Sequence, residues 1–147
     1  MQQSAANSNA PDRTRQLADE AIALSPDDLS TEDIAQLRRL LLDHLGVCVR
    51  GSSLPWGEAL NAWAKPYGTS GPCVIFGTDF RAPPPVAALV NATAAHGLEM
   101  DDTHDESITH PGAVVIATAL AVGSAEKRGG GEILAAIAAG YEVMARI

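Results

Sequence analysis

Apolar residues recur along most of this chain at three- and four-residue spacings, the period of an amphipathic helix. Leu17, Ala21 and Leu24 share one face of a short helix that Asp12 can cap. Ser25-Pro26-Asp27-Asp28 breaks it. Ser30 with Asp33 is a form of capping box and opens a second helix with an apolar stripe at Ile34, Leu37, Leu41, Leu45 and Cys48. Its charges (Glu32, Arg38, Arg39, Asp43) and His44 are expected on the solvated face, and Gly51 is expected to end it. Leu54-Pro55-Trp56 starts a third helix in which Trp56, Leu60 and Trp63 are spaced to pack, and Lys65-Pro66 stops it. The texture then changes to Gly, Pro and Thr around a β-type run, Cys73-Val74-Ile75-Phe76, with a turn at Gly77-Thr78-Asp79, which predicts a small hairpin. Pro83-Pro84-Pro85 leads into a small-residue apolar helix from Val86 to about Met100, since proline is tolerated in a first turn. Pro111 marks another start, for a helix over 113–126 that Gly129-Gly130-Gly131 ends. The last run, Glu132 to Ile147, keeps an apolar seam at Ile133, Ile137, Tyr141 and Met144 with no stop signal, as if cut off in mid-helix.

The expected fold is mainly α, a helical bundle-like domain over 12–147 with one short β-hairpin, preceded by a disordered tail at 1–11. With 147 residues, 46% of them hydrophobic, the chain can bury one real core. Aromatics at only 4% leave that core to Ala, Leu, Val and Ile. A formal charge of -8 argues against a nucleic-acid partner. Cys48 and Cys73 have no metal or redox spacing and read as reduced, buried thiols. No run is apolar and long enough to span a membrane, and the first residues lack a secretory core, so a cytoplasmic location is expected. Gly129-Gly130-Gly131 lacks the lysine and the preceding strand of a phosphate loop.

The chemistry concentrates in HGLEMDDTHDESITHPG, His96 to Gly112, where three histidines (His96, His104, His110) and five carboxylates (Glu99, Asp101, Asp102, Asp105, Glu106) separate two apolar helices. If the first helix continues to Thr103, then His96, Glu99 and Thr103 fall on one face. Asp102 would lie roughly 60° from Glu99, and Asp101 would point nearly the other way, to cap or bind a cation at the surface. His110 precedes the next helix, whose free amides attract anions, and a histidine there can move a proton near neutral pH. A carboxylate-bearing substrate could thus be held near Gly112 while His110 and Glu99 or Asp102 handle a proton. Five carboxylates would repel such a substrate unless basic groups come from elsewhere; otherwise the ligand is a cation. Histidine with carboxylate also suits Zn, Mn or Fe, but HExxH is absent and His96-x-x-Glu99 is a common spacing, so no metal is assigned.

The segment LEMDDTHDESITHPG, with ALVNATAAHG before it and AVVIATALAVG after it, resembles the signature of the MmgE/PrpD family, which includes 2-methylcitrate dehydratase, cis-aconitate decarboxylase and iminodisuccinate epimerase. LLDHLGVCVRG and ILAAIAAGYEVMARI resemble the helices on either side of it, so the likeness runs over about 12–147. It implies a helical domain of a larger two-domain, homodimeric enzyme that abstracts a proton next to a carboxylate of a di- or tricarboxylic acid without metal or organic cofactor. By motif position it implies Glu99, Thr103 and His110 as catalytic candidates, with Asp102 and His104 beside them and His96 and Gly112 as substrate contacts. Two departures stand out: Glu99 replaces an aspartate of many relatives, and the loop from Thr103 to His110 is one residue longer than in the decarboxylase. The resemblance further implies catalytic histidine and lysine residues beyond position 147, so the chain is expected to be an N-terminal fragment or a truncated paralogue, inactive alone. The reading closest to the resemblance is a 2-methylcitrate dehydratase-like lyase; the alternative is a non-catalytic helical module that dimerises or binds a partner through its C-terminal seam.

Overall fold

The computed structural model describes residues 12–67 and 71–147. The expected tail at 1–11 lies outside the described residues. The fold is mainly α, with six helices and one hairpin: α1 (Arg13–Ala23), α2 (Thr31–Ser52), α3 (Pro55–Ala64), β1 (Cys73–Val74), β2 (Arg81–Ala82), α4 (Pro84–His96), α5 (Pro111–Ala125) and α6 (Gly130–Arg146). None of these helices is long and apolar enough to cross a membrane.

Capping follows local chemistry. Asp12 accepts the Arg15 amide at 3.0 Å and starts α1. At α2 the expected box is present: the Ser30 hydroxyl accepts the Asp33 amide, and the Asp33 carboxylate accepts the Ser30 amide at 2.9 Å. The glycine triplet works differently from the expectation. α5 already ends at Ala125, and Gly129 instead opens α6, its amide donating to the Glu132 carboxylate at 2.9 Å. A carboxylate three residues into a helix satisfies one of its orphan donors, which is why the triplet begins a helix here.

The centre of the domain is α4, flanked by α2, α3 and α5, while α6 packs on α5 and α1 lies over α6. Ala87, Val90, Ala94 and Ala95 of α4 are buried, as are Ala113, Val115, Ile116, Ala117 and Ala121 of α5. Small side chains let these axes come close, and burial at roughly 25 cal/mol per Å² of apolar surface holds them there. The hairpin pairs Cys73 with Ala82 and Val74 with Arg81 in antiparallel register. It is pinned to α4 by the buried Asn91, whose side chain accepts the Phe76 amide at 3.0 Å and donates to the Val74 carbonyl at 2.9 Å. Both cysteines are free and buried, and burial pushes the Cys48 thiol up to about 12.

Four further expectations are corrected. The third helix buries Gly57 and Ala64, whereas Trp56 and Trp63 stay well exposed, because the close face of α3 is made of small residues. The seam of Ile133, Ile137, Tyr141 and Met144 is not open: it packs on Leu37, Val115 and Ile116, with Ile137 fully buried. His44 is buried rather than solvated, since α2 turns that face toward the loop after α4. Gly51 does not end α2, which runs to Ser52; a Cβ at that position would overlap the carbonyl of Ala94, so this glycine is the point of contact between α2 and α4.

Two glycines of one helix should therefore respond oppositely. Gly51→Ala is expected to destabilise by about 1–3 kcal/mol through overpacking against a backbone that cannot give way. A Cβ added at Gly46 would meet nothing within 4 Å, and Gly46→Ala is expected to stabilise by about 0.5–1 kcal/mol. Urea unfolding midpoints of the two variants check both signs.

Candidate active site

The His/acid stretch is a loop, and α4 stops at its first histidine. His96 is the last residue of α4; Gly97 caps it, and Glu99 adopts a left-handed backbone with φ 49°. The helical face expected for His96, Glu99 and Thr103 therefore does not form. Glu99 and Thr103 lie exposed on the loop, and neither side chain makes a hydrogen bond among the described residues. A left-handed backbone is uncommon for a residue with a side chain and marks a loop whose shape is imposed by its surroundings.

Two adjacent aspartates impose that shape. Asp102 spans from the loop to α5 and α6: one carboxylate oxygen accepts the Gly112 amide at 3.0 Å, the other the Tyr141 hydroxyl at 2.7 Å. A carboxylate at a helix N-terminus is stabilised by the free amides and the helix dipole. The anion site expected at the start of α5 is thus occupied, at Gly112, by the chain's own side chain. A Cβ on Gly112 would press on the Asp102 carboxylate and the Tyr141 hydroxyl, so this position has room only for glycine. Burial first, and the bond to Asp102 second, raise the Tyr141 phenol above its ordinary range, keeping it a donor.

Asp101 points inward. Its side chain is 2% exposed, where the helical wheel placed it at the surface. The reason is the helix stop: once α4 ends at His96, the loop turns Asp101 back beneath that histidine. His96 Nδ1 lies 3.1 Å from one carboxylate oxygen, and His110 Nδ1 lies 3.3 Å from the other. The His110 contact is close in distance but lacks the alignment of a hydrogen bond. The two imidazoles lie with centroids 4.8 Å apart and planes tilted by 60°. Their side chains remain 46% and 33% exposed, so the buried carboxylate forms the floor and the rings form the open wall.

His104 belongs to a separate network. It pairs with Thr109 in a short antiparallel bridge, and its Nδ1 accepts the Ser107 amide at 3.3 Å and lies 2.7 Å from the Ser107 hydroxyl. His96, Asp101 and His110 together offer donor atoms within 4.8 Å of one another, the set in this loop that could hold a metal. His44 lies behind the loop, 2% exposed, and neither ring nitrogen has a hydrogen-bond partner among the described residues. Burial lowers its pKa, against the opposing pull of Asp102 and Asp101.

Of the predicted residues, His96 and His110 come together and Asp102 anchors the loop; Glu99, Thr103 and His104 stand apart from the histidine pair. Asp101 and Tyr141 are the residues that sequence reasoning missed. Their signals were present: an acid flanked by two histidines, and a tyrosine in an apolar seam, where a buried hydroxyl calls for a partner.

Comparison with known proteins agrees with the extent of this architecture. The sequence model of the MmgE/PrpD N-terminal domain matches residues 15–147. The cis-aconitate decarboxylase of Mus musculus is 33% identical over 119 residues, covering 78% of this chain and 24% of its own length. The human cis-aconitate decarboxylase is 32% identical over 124 residues, covering 81% of this chain and 26% of its own. The cis-aconitate decarboxylase-like protein oryM of Aspergillus oryzae is 26% identical over 141 residues, 91% of this chain and 29% of its own length. The chain thus spans 24–29% of the length of these curated relatives.

The buried His44 gives a pH dependence of fixed sign. An unfolded histidine titrates near ~6.5, and the folded one below it. Above that range both states are neutral and His44 contributes nothing to the pH dependence. As pH falls below ~6.5 the unfolded state binds the proton that the folded state resists, so stability is lost. Chemical unfolding from pH 8 to 5.5 should show His44→Leu gaining on the wild type only in the lower half of that range. A constant difference would contradict it.

Proposed function

We propose, from the premise that this chain belongs to the MmgE/PrpD family, that it supplies one wall of a lyase site acting on a di- or tricarboxylic acid. The observation that carries this reading is the His96–Asp101–His110 cluster, with a buried carboxylate behind two half-open imidazoles. Such an arrangement suits proton transfer at a carbon next to a carboxylate. In the dehydration we favour, a neutral imidazole nitrogen of His110 takes the proton from that carbon. The C–H electron pair becomes the new double bond, and the neighbouring hydroxyl leaves as water after gaining a proton. Decarboxylation, the reaction in the names of the relatives above, would instead break a C–C bond and return a proton to carbon.

Charge supports a site completed by other segments. Glu99, Asp105 and Glu106 are exposed on the same loop, and no described ion pair brings an arginine or lysine to it. A polycarboxylate needs such cations, and the part this chain matches is 24–29% of the length of those relatives. In this reading Glu99 and Thr103, exposed and without a side-chain hydrogen bond among the described residues, contact substrate once that remainder is present. We expect the complete enzyme to be a homodimer.

One observation favours a second reading. Val114 and Val122 are about half exposed, and with Thr118, Ala136, Val143 and Met144 they line an open apolar groove between α5 and α6. A non-catalytic helical module would dimerise through that groove, and light scattering that finds a monomer at high concentration would exclude it.

The catalytic reading is tested by following 2-methylcitrate, citrate and cis-aconitate by proton NMR, with the 147-residue chain and with the chain joined to the remaining length of the family's fold. Turnover is expected only in the joined form, with water lost from 2-methylcitrate. His110→Ala should lower kcat by about 10²–10⁴-fold, the usual contribution of a general acid or base. Undiminished turnover in that variant removes His110 from the mechanism; CO2 release from cis-aconitate moves the reaction to decarboxylation.

A further inference from the structure

The four histidines of the chain (His44, His96, His104 and His110) sit in three different hydrogen-bonding environments. Those environments dictate which ring nitrogen carries the proton. An ionised carboxylate only accepts hydrogen bonds, so a neutral imidazole facing it must present N–H. Nδ1 of His96 lies 3.1 and 3.3 Å from the two Asp101 carboxylate oxygens, and Nδ1 of His110 lies 3.3 Å from the second of them. Nδ1 of His110 is buried with no other partner, so the carboxylate is the one acceptor available to it among the described residues. His104 is the reverse case: its Nδ1 accepts the Ser107 amide, so its proton belongs on Nε2.

We propose that Asp101 is the positioning residue of this site, holding both His96 and His110 in the Nδ1–H form so that two bare Nε2 atoms face away from it, and that His96 is a second proton carrier beside His110. The inference deepens the lyase reading and rests on it for its functional meaning. An imidazole ring places Nε2 on the side away from Nδ1, so fixing Nδ1 on a buried floor aims Nε2 toward the exposed side of each ring. A wrong tautomer at a histidine base abolishes its ability to accept a proton at the reacting face, which is how a buried aspartate acts on a histidine elsewhere. Here one carboxylate does this for two rings. In the dehydration above, the bare Nε2 of one ring takes the carbon-bound proton, and the other ring, when protonated, gives a proton to the departing hydroxide; exchange with water resets the pair.

The donor set also fits a metal, and the two readings make opposite demands on the same atoms. A metal would need both Nδ1 atoms bare as ligands, whereas the proposal has both protonated. At His96 the 3.1 Å contact has hydrogen-bond geometry, and a protonated Nδ1 satisfies it without an ion.

The test is a long-range proton–nitrogen correlation on the chain labelled with ¹⁵N-histidine, at pH about 8.5 where an ordinary imidazole is neutral. Single His→Gln variants assign the four rings. His96 and His110 are expected with protonated Nδ1 and bare Nε2, and His104 with the opposite pattern. In Asp101→Asn the Nδ1–H pattern of His96 and His110 should be lost while that of His104 persists, which reports that the loop is still folded. If that variant does not fold, the wild-type pattern decides alone. An Nε2–H form at His96 or His110 overturns the proposal, and so does one equivalent of Zn²⁺ that shifts both Nδ1 resonances as bound ligands. Turnover plays no part in the readout, so an inactive chain with the expected tautomers leaves this result standing, and the wrong tautomers defeat it even where His110 proves catalytic.

Discussion

The structure depends on the double grip of Asp102. Its two carboxylate oxygens bind the start of α5, through the Gly112 amide, and the body of α6, through the Tyr141 hydroxyl. That fixes the loop after α4 at its midpoint, and the residue next to it, Asp101, then has one way to face: inward, beneath His96 and His110. Charge-assisted bonds of this kind contribute about 1.5–3 kcal/mol each. In a loop of five carboxylates they decide which acids are structural and which are free. Asp102 is held by an amide and a phenol hydroxyl, Asp101 lies against two imidazoles, and Glu99, Asp105 and Glu106 are left to solvent.

Close helix approach sets the frame in which that grip works. α4 and α5 bring His96 and His110 together because each carries the loop from one end, and the two helices touch through alanine and valine rather than through large side chains. Gly51 lets α2 reach α4, and the hairpin closes the far side through Asn91. Larger residues in this layer would separate the helix ends and pull the imidazoles off the shared carboxylate. Packing far from the loop thus controls a distance inside it.

Much of this was legible in the sequence. Helix starts could be read from Asp12, Ser30 and the prolines because capping is local chemistry, and the hairpin from a β-type run beside a turn. The loop itself was found by composition. What could not be read were contacts between distant segments: Tyr141 is 39 residues from Asp102, and no periodicity records that pair. The one-face arrangement of His96, Glu99 and Thr103 failed because it extended a helix through a segment whose acids bind elsewhere. Once Asp102 reaches α5 and α6, continuing α4 to Thr103 would carry it away from both partners. The burial of His44 was missed for a related reason, since a wheel read on α2 alone cannot show what the loop after α4 places over it. The glycine triplet failed on a smaller scale: Gly is read as a stop, but an acid three residues on makes the same residue a start.

Electrostatics gives the remaining step. A buried carboxylate without a partner is strongly unfavourable, so Asp101 requires its two imidazoles as much as they require it. Glu99, Asp105 and Glu106, exposed on the same loop, repel an approaching anion, and no described ion pair brings an arginine or lysine to that loop. The histidine pair can offset part of that repulsion only by holding protons, and each proton held removes one bare Nε2 from service as a base. Under the lyase reading proposed above, the cations that hold a polycarboxylate come from other segments, and proton transfer is the task of this wall.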